Sequence, residues 1–215
     1  MGNEIKSKKI KKCYIICGYL PEINGEILNN ISSDDFVVCA DNGYEYALQN
    51  DIVPDLIIGD FDSYKGKVPN GDNTIVLPAE KDDTDLMYSL KHCINLGMRD
   101  FIITGATGGR CDHTLASLTT LYYALSIGCT ACIYDKNTTV YVTNKGLNLK
   151  APEKHSYFSV FPVTEEAKVS ICGGKYNLKN KTLKNSFPLG VSNEFDSDLV
   201  EITVSSGSVY VLVTQ

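Results

Sequence analysis

The sequence predicts two domains: an N-terminal α/β domain with a mostly parallel sheet and helices on both faces, and a C-terminal all-β sandwich. Up to about residue 135, short continuous apolar runs alternate with segments of helical periodicity, as is typical of parallel strands connected by helices. Beyond that point apolar and polar residues alternate with a period of two, and Gly, Asn and Pro stand at the breaks. We place the boundary near Lys136–Asn137, which gives predicted domains of residues 1–136 and 137–215.

Several apolar runs of the first domain are predicted as buried strands, because they are short, continuous and rich in Val and Ile. They are Cys13–Cys17, Phe36–Cys39, Leu56–Ile58, Thr74–Leu77, Phe101–Thr104 and Ala131–Tyr134. Helices are predicted at Asp83–Leu96 and Asp112–Ile127, where leucines recur on one face. The second domain is expected to hold about six to eight strands and no convincing helix.

Charge limits the classes of function. The chain has 215 residues and a net charge of −6, with 26 acidic and 20 basic residues. A general nucleic-acid binder needs a basic face to neutralise phosphates, so we expect no nucleic-acid partner. An acidic enzyme binds a polyphosphate when divalent cations lie between the two anions, so the charge favours a metal-dependent site.

The eight cysteines show no framework spacing, and several lie inside apolar runs, which predicts buried thiols in a reducing cytosol. Cys129-x-x-Cys132 fits a metal or redox spacing, but a second such pair and a nearby His are both lacking. No signal peptide or membrane span is visible, and the basic N-terminus MGNEIKSKKIKK is expected to be a short leader. We therefore expect a cytoplasmic protein without a membrane partner.

Acidic residues follow the predicted strands of the first domain. They are Asp41 after FVVCA, Asp60 and Asp62 after DLIIG, and Asp82, Asp83 and Asp85 shortly after IVLP. In an open parallel sheet, ligands collect beyond the carboxyl ends of the strands. Carboxylates that converge on that edge would repel one another without a cation, and hard oxygen ligands at such a site suit Mg²⁺.

Each acidic motif also has a structural interpretation. In an extended segment Asp60 and Asp62 face the same side and reach one metal, but a polar turn after the strand has the same composition. Asp82 or Asp83 is equally suited to cap the helix that follows. A cap does not require the adjacent Lys81, whose point charge suits a phosphate.

The segment ITGATGGRCDHTLASL predicts a strand, a glycine-rich turn and the start of a helix. Such a turn leaves N–H groups free at a positive helix end, which suits an anion, although the standard phosphate-loop spacings are missing. Arg110 adds a bidentate phosphate donor, whereas Asp112 is also a helix cap and His113 also a structural histidine. These residues alone predict a metal-dependent nucleotide or phosphate enzyme.

The ordered set of motifs resembles the thiamine pyrophosphokinase (thiamine diphosphokinase) family. The matching segments are CADNGYEYAL, PDLIIGDFDS, KDDTDLMYSL, GATGGRCDHTL, KYNLKNKTL and PLGVSNEF, which extend from residue 39 to 195 in the family's order. The resemblance implies an α/β domain that binds ATP and Mg²⁺, a β-sandwich that helps to bind thiamine, and a homodimer with active sites between subunits. It implies transfer of a diphosphate group from ATP to the hydroxyl of thiamine, with release of AMP.

The resemblance also implies roles for individual residues. The implied Mg²⁺ ligands are Asp41, Asp60, Asp62 and Asp85, the ATP contacts are Lys81, Thr84, Arg110, Asp112 and His113, and the thiamine-facing residues are Tyr176, Asn177, Ser192 and Asn193. Catalysis is assigned to Asp62, Asp85 and Arg110, and either of these two aspartates is a candidate base.

This chain departs from the family pattern at two positions. Asn42 stands where the family often has glycine, and Tyr176 stands where some members have Trp, which weakens the cation–π attraction to a thiazolium ring. Two other functions are compatible with the motifs: a Mg²⁺-dependent phosphotransferase acting on another small alcohol, and a thiamine- or nucleotide-binding sensor without catalysis.

Overall fold

The computed structural model describes residues 10–62, 64, 66–68, 70–152 and 155–214. Most of the basic leader expected at the N-terminus lies outside the described residues. The chain divides into two compact units, of which the first ends at Lys136 and the second begins at Asn137. This is the position at which the sequence pattern changes from mixed to purely β.

Parallel strands form the sheet of the first unit. Their bounds are β1 Cys13–Ile16, β2 Phe36–Ala40, β3 Leu56–Gly59, β4 Thr74–Val76, β5 Asp100–Thr104 and β6 Thr130–Tyr134. They lie in the order β6-β5-β1-β2-β3-β4, and each neighbouring pair is parallel. The predicted strands are confirmed, with no end displaced by more than one residue.

Helices connect these strands. They are α1 Gly25–Leu28, α2 Gly43–Gln49, α3 Asp85–Asn95 and α4 Cys111–Ser126, and a 3₁₀ turn covers Leu20–Glu22. The sequence predicted α3 and α4 but not the shorter elements, in which a helical period has no room to repeat. No helix in the described part of the chain is long and apolar enough to span a membrane.

Helix α3 begins two residues later than predicted because Thr84 is its N-cap. The Thr84 hydroxyl oxygen accepts a hydrogen bond of 3.2 Å from the backbone N–H of Met87. Neither Asp82 nor Asp83 caps the helix, and the Asp83 carboxylate instead pairs with Lys91 at 2.7 Å. Thr84 therefore has a structural role at the start of α3 in addition to its predicted contact with ATP.

Helices pack against both faces of the sheet. Ile16 of β1 belongs to a cluster that includes Ala47 of α2, whereas the thiol of Cys13, on the opposite face of the same strand, lies against Cys93 of α3. Helix α2 approaches β1 so closely that a Cβ atom on Gly43 would lie 2.1 Å from the Ile16 carbonyl oxygen. This close approach places the residues before α2 at the end of β1.

The described residues of the second unit form strands and connecting turns, without a helix. The strands are β7 Thr138–Thr143, β8 Gly146–Lys150, β9 Tyr157–Pro162, β10 Glu166–Cys172, β11 Leu178–Lys184, β12 Asn193–Glu194, β13 Leu199–Ser206 and β14 Val209–Thr214. They form the antiparallel arrays β12-β9-β14-β7 and β11-β10-β13-β8. Side chains from both arrays share one hydrophobic cluster, for example Phe158 and Val211 from one and Val169 and Ile202 from the other.

Candidate active site

A cleft of about 690 Å³ opens in the first unit, at the edge where the parallel strands end. It is lined by residues that follow β1, β2, β3 and β5, together with the segment before α3 and the first turns of α3 and α4. The volume is typical of a small-molecule site, and the position is that expected for ligands of an open parallel sheet. The lining contains several of the aspartates singled out in the sequence.

Three aspartates converge in this cleft. Asp41 follows β2, Asp60 and Asp62 follow β3, and each offers a carboxylate oxygen within 4.8 Å of those of the other two. The parallel pairing of β2 with β3 causes the convergence, because it brings the ends of the two strands side by side. Asp85 also lines the cleft, from the first turn of α3, but lies outside this group.

Lys81 lies between the acidic residues. Its ammonium donates a hydrogen bond of 2.5 Å to Asp60 Oδ2 and lies 3.4 Å from Asp85 Oδ1. One ammonium cannot balance the four carboxylates of Asp41, Asp60, Asp62 and Asp85, so these described side chains together carry a net negative charge.

The carboxylates differ in pKa because their surroundings differ. Burial raises the pKa of Asp41, and the charges of Asp85, Asp60 and Asp62 raise it further. Burial likewise raises the pKa of Asp85. The hydrogen bond from Lys81 lowers the pKa of Asp60. Such perturbation within a cleft is typical of functional sites, since a structural carboxylate is normally paired or solvated.

The donor set fits a divalent cation. Asp41 Oδ1 is buried and accepts no hydrogen bond from any described residue, although buried oxygens are usually satisfied. Asp41 also has a φ of 49°, an unfavourable backbone conformation that concentrates at functional sites. Converging carboxylate oxygens are the ligands that Mg²⁺ prefers, so the geometry is suited to that ion.

Asp135 is a buried acid of this edge that the sequence analysis missed. It directly follows β6, its exposed fraction is 2%, and its carboxylate accepts hydrogen bonds from the N–H groups of Gly105 at 2.6 Å and Thr107 at 2.7 Å. The signal was present, because an aspartate directly after a buried strand was the criterion that singled out Asp41. The Asp135 side chain points towards the glycine-rich loop after β5, residues 105–109, and does not line the cleft.

Tyr19, which follows β1, is a second residue that the sequence analysis missed. Its aromatic ring lies against Gly108 and Gly109, so closely that a Cβ atom on Gly108 would be 2.5 Å from the ring. Tyr19 lines the cleft beside these glycines. An aromatic residue within three positions of a strand end was the available signal.

The predicted ATP contacts on α4 differ in position. Arg110 and His113 line the cleft, whereas Asp112 pairs with Arg110, whose Nη2 lies 2.6 Å from Asp112 Oδ2. The Asp112 side chain does not cap α4, since Arg110 is the N-cap residue. Asp112 Oδ1 accepts hydrogen bonds from Arg110 Nε at 3.2 Å and from the adjacent His113 N–H at 3.0 Å. A direct contact of Asp112 with ATP stays a prediction.

The predicted thiamine residues of the second unit include an exposed tyrosine ring and an asparagine that binds the backbone of that tyrosine. Tyr176 is 61% exposed, and its backbone N–H and C=O bind the Asn193 side-chain amide at 2.9 Å and 2.8 Å. Asn177 accepts a hydrogen bond from the Gly174 N–H at 3.2 Å, and Ser192 has a φ of 56°. Asn193 thus holds the Tyr176 backbone in place, and the aromatic ring is available to a ligand.

Comparisons with known proteins match both units. Residues 27–133 match the family described as "Thiamin pyrophosphokinase, catalytic domain", and residues 146–209 match "Thiamin pyrophosphokinase, vitamin B1 binding domain". The chain is 29% identical over 161 residues to Thiamine pyrophosphokinase of Bacillus subtilis (strain 168), an alignment that covers 72% of this chain and 75% of that protein. It is 25% identical over 169 residues to Thiamin pyrophosphokinase 1 of Caenorhabditis elegans, covering 73% and 69%.

Solved structures have the same fold. The crystal structure of thiamine pyrophosphokinase from Bacillus subtilis has a TM-score of 0.85 at 24% identity and covers 95% of this chain and 99% of its own. The thiamin pyrophosphokinase from Candida albicans has a TM-score of 0.79 at 18% identity, with coverage of 98% and 90%. The resemblance noted in the sequence motifs is confirmed. The chain belongs to the thiamin pyrophosphokinase family, whose enzymes transfer pyrophosphate from ATP to thiamine and so form thiamine pyrophosphate.

Proposed function

We propose that the cleft of the first unit is where the diphosphate group passes from ATP to the hydroxyl of thiamine, with release of AMP. The observation that carries this proposal is the group of Asp41, Asp60 and Asp62, whose oxygens lie within 4.8 Å of one another. A structural role would not require three converging carboxylates, whereas a polyphosphate substrate in an acidic cleft requires cations among them.

Asp41, Asp60 and Asp62 are the residues that would hold Mg²⁺. The bound ion supplies positive charge that offsets the charge of the phosphate oxygens during transfer. Lys81 and Arg110 are placed to contact the same phosphates, since both line the cleft and both side chains are cationic. With the phosphates fixed, the remaining demand is to position the attacking hydroxyl and to take up its proton.

We assign the role of base to Asp85, one of the two candidates from the sequence. Burial raises its pKa, which makes its carboxylate a stronger proton acceptor than an ordinary aspartate, and it lies outside the group of three. Asp62 belongs to that group and is assigned to metal binding.

The second unit is proposed to be a β-sandwich that contributes the thiamine contacts. Its strand arrays share one core, and the exposed ring of Tyr176 is available to stack on a thiazolium cation. Lys175 Nζ already lies 5.8 Å from the centre of that ring, which supports its use as a surface for a cation. Asn177, Ser192 and Asn193 complete the proposed thiamine site.

The proposal includes a homodimer with active sites at the subunit interface. Large apolar side chains of the second unit, such as Phe187, Leu189 and Val191, are exposed and would be covered by a second copy.

A cytoplasmic location is proposed because the cysteines are free thiols.

The reaction is tested by incubating the protein with ATP, MgCl₂ and thiamine and analysing the products. The proposal predicts AMP and thiamine diphosphate in equal amounts. Formation of ADP would indicate an ordinary phosphotransferase acting on an alcohol. Tight binding of thiamine or ATP without any product would indicate a sensor, and either result would reject the proposed function.

Replacement of the two aspartates by asparagine separates metal binding from proton transfer. We expect Asp62→Asn and Asp85→Asn each to lower kcat by about a hundredfold or more, a typical effect of losing a general base or the charge that holds a metal. Activity of Asp62→Asn should recover in part at raised Mg²⁺ concentration, because its defect is weaker metal binding. Activity of Asp85→Asn should not recover.

The matched control for this comparison is Asp72→Asn, which changes an exposed aspartate that does not line the cleft and should keep wild-type activity. Near-normal turnover in both test variants, with unchanged thermal unfolding, would reject the acidic-site mechanism. Equal recovery of both variants by Mg²⁺ would reject only the division of roles between Asp62 and Asp85.

Tyr176→Ala tests the thiamine site. We expect the KM for thiamine to rise about twofold to thirtyfold, since a cation–π contact contributes about 0.5–2 kcal/mol, while the KM for ATP stays nearly constant. Tyr176→Phe should keep most of the affinity because the ring is retained. Leu199→Ala removes another exposed apolar side chain of the same unit, one that is assigned neither to the thiamine site nor to the subunit interface, and is the control. An equal rise in both KM values would exclude Tyr176 from thiamine binding.

A further inference from the structure

The glycine-rich loop after β5 is held by a buried anion. Three consecutive backbone N–H groups donate to the Asp135 carboxylate: those of Gly105 at 2.6 Å, Ala106 at 3.2 Å and Thr107 at 2.7 Å. The Thr107 hydroxyl donates a further hydrogen bond of 2.6 Å to Asp135 Oδ2. Successive N–H groups that surround an anion form a nest, a geometry otherwise used to bind phosphate. Here a side chain of the protein occupies the nest.

The nest fixes the residues that come next in the chain. Gly108 and Gly109, with φ of 83° and 59°, line the cleft immediately after Thr107. Among the described residues, no acceptor binds the N–H groups of these two glycines. They precede the first turn of α4, where N–H groups lack partners within the helix and the helix dipole is positive.

Tyr19 supports the loop from its other side. Its backbone N–H donates a hydrogen bond of 3.1 Å to the Gly105 carbonyl, and its ring lies against Gly108 and Gly109. The segment after Tyr19 is in turn joined to the end of β6, because Ile23 forms a β-bridge with Asp135. The loop is therefore held at its base by a carboxylate and at its tip by an aromatic ring.

We propose that Asp135 is the positioning residue of the ATP-binding loop. It takes up the donors of residues 105–107, so that the free N–H groups of Gly108 and Gly109 are presented to the phosphates of ATP. Asp135 does not line the cleft and acts only through the loop. The inference rests on the proposed use of this cleft for ATP. Asp135 stands directly after β6, and we expect its replacement to weaken the binding of ATP and to leave the binding of thiamine unchanged.

Asp135→Asn is the informative change because it keeps the shape of the side chain. Both carboxylate oxygens accept from backbone N–H groups, Oδ1 from Gly105 and Oδ2 from Ala106 and Thr107. Whichever way the amide is turned, its NH₂ group faces an N–H donor and cannot accept from it. The loop must therefore shift, while the core beneath it is unchanged in volume.

The test measures the binding of ATP with Mg²⁺ by calorimetry in the absence of thiamine, followed by the two KM values. For Asp135→Asn we expect ATP affinity to fall and the KM for ATP to rise by about tenfold or more, as loss of a charge-assisted buried hydrogen bond predicts. The KM for thiamine should change by less than about twofold, since that substrate makes no use of the loop. Thr107→Val, which removes one donor and keeps the N–H bonds, should give a smaller effect in the same direction.

Asp100→Asn is the matched control. Asp100 is a partly buried aspartate of the same sheet, and burial raises its pKa, but it lies at the start of β5, at the opposite edge from the loop. It should leave ATP affinity unchanged. Wild-type ATP affinity in folded Asp135→Asn would overturn the inference. So would equal losses for ATP and thiamine that follow a lowered melting temperature, because that pattern indicates a structural role alone.

Two further outcomes are decided by the same measurements. If Asp135→Asn does not fold, Thr107→Val decides, and unchanged ATP affinity in that variant would overturn the inference. If the wild-type protein binds ATP but forms no thiamine diphosphate, the proposed function fails. In that case reduced ATP affinity of Asp135→Asn would still support the role of Asp135.

Discussion

Carboxylates held close together at one edge of a sheet repel one another, and the site of this protein depends on how that repulsion is relieved. Parallel pairing of β2 with β3 forces Asp41, Asp60 and Asp62 together, because each follows the end of its strand. Lys81 offsets part of the charge by bonding Asp60 and approaching Asp85. The remaining negative charge, and the buried Asp41 oxygen without a donor, make the cleft a place where a divalent cation is favoured.

Another carboxylate at the same edge of the sheet, that of Asp135, is fully hydrogen-bonded within the protein. Asp135 is more deeply buried than the aspartates of the cleft, yet its oxygens are satisfied by N–H groups of the loop and by the Thr107 hydroxyl. A satisfied carboxylate gives rigidity, whereas carboxylates left without donors attract a cation. One part of the edge is thus organised to hold the loop, and the other part to bind metal and phosphate.

Much of this arrangement was predictable from the sequence, because it follows from periodicity and from where acids stand relative to strands. The buried strands, α3 and α4, and the convergence of Asp41 with Asp60 and Asp62 all follow from these patterns. The short helices α1 and α2 did not, since four to seven residues are too few to show a helical period.

The direction in which a side chain points also could not be predicted from the sequence. Asp41 and Asp135 both stand directly after buried strands, but only the fold shows that one faces the cleft and the other faces a loop. The sequence likewise assigned Asn193 to a thiamine-facing position, which stays a prediction, but gave no sign that its amide binds the backbone of Tyr176. Local motifs therefore indicate which residues have a role, and only the tertiary contacts show which partner each side chain binds.

Locating the bound ion would show whether the carboxylates after β2 and β3 together form a cation site. Crystals grown with ATP and Mn²⁺ in place of Mg²⁺ would give an anomalous scattering peak at the metal. We expect this peak among the carboxylate oxygens of Asp41, Asp60 and Asp62. A peak remote from all three, with Lys81 still bonded to Asp60, would contradict it.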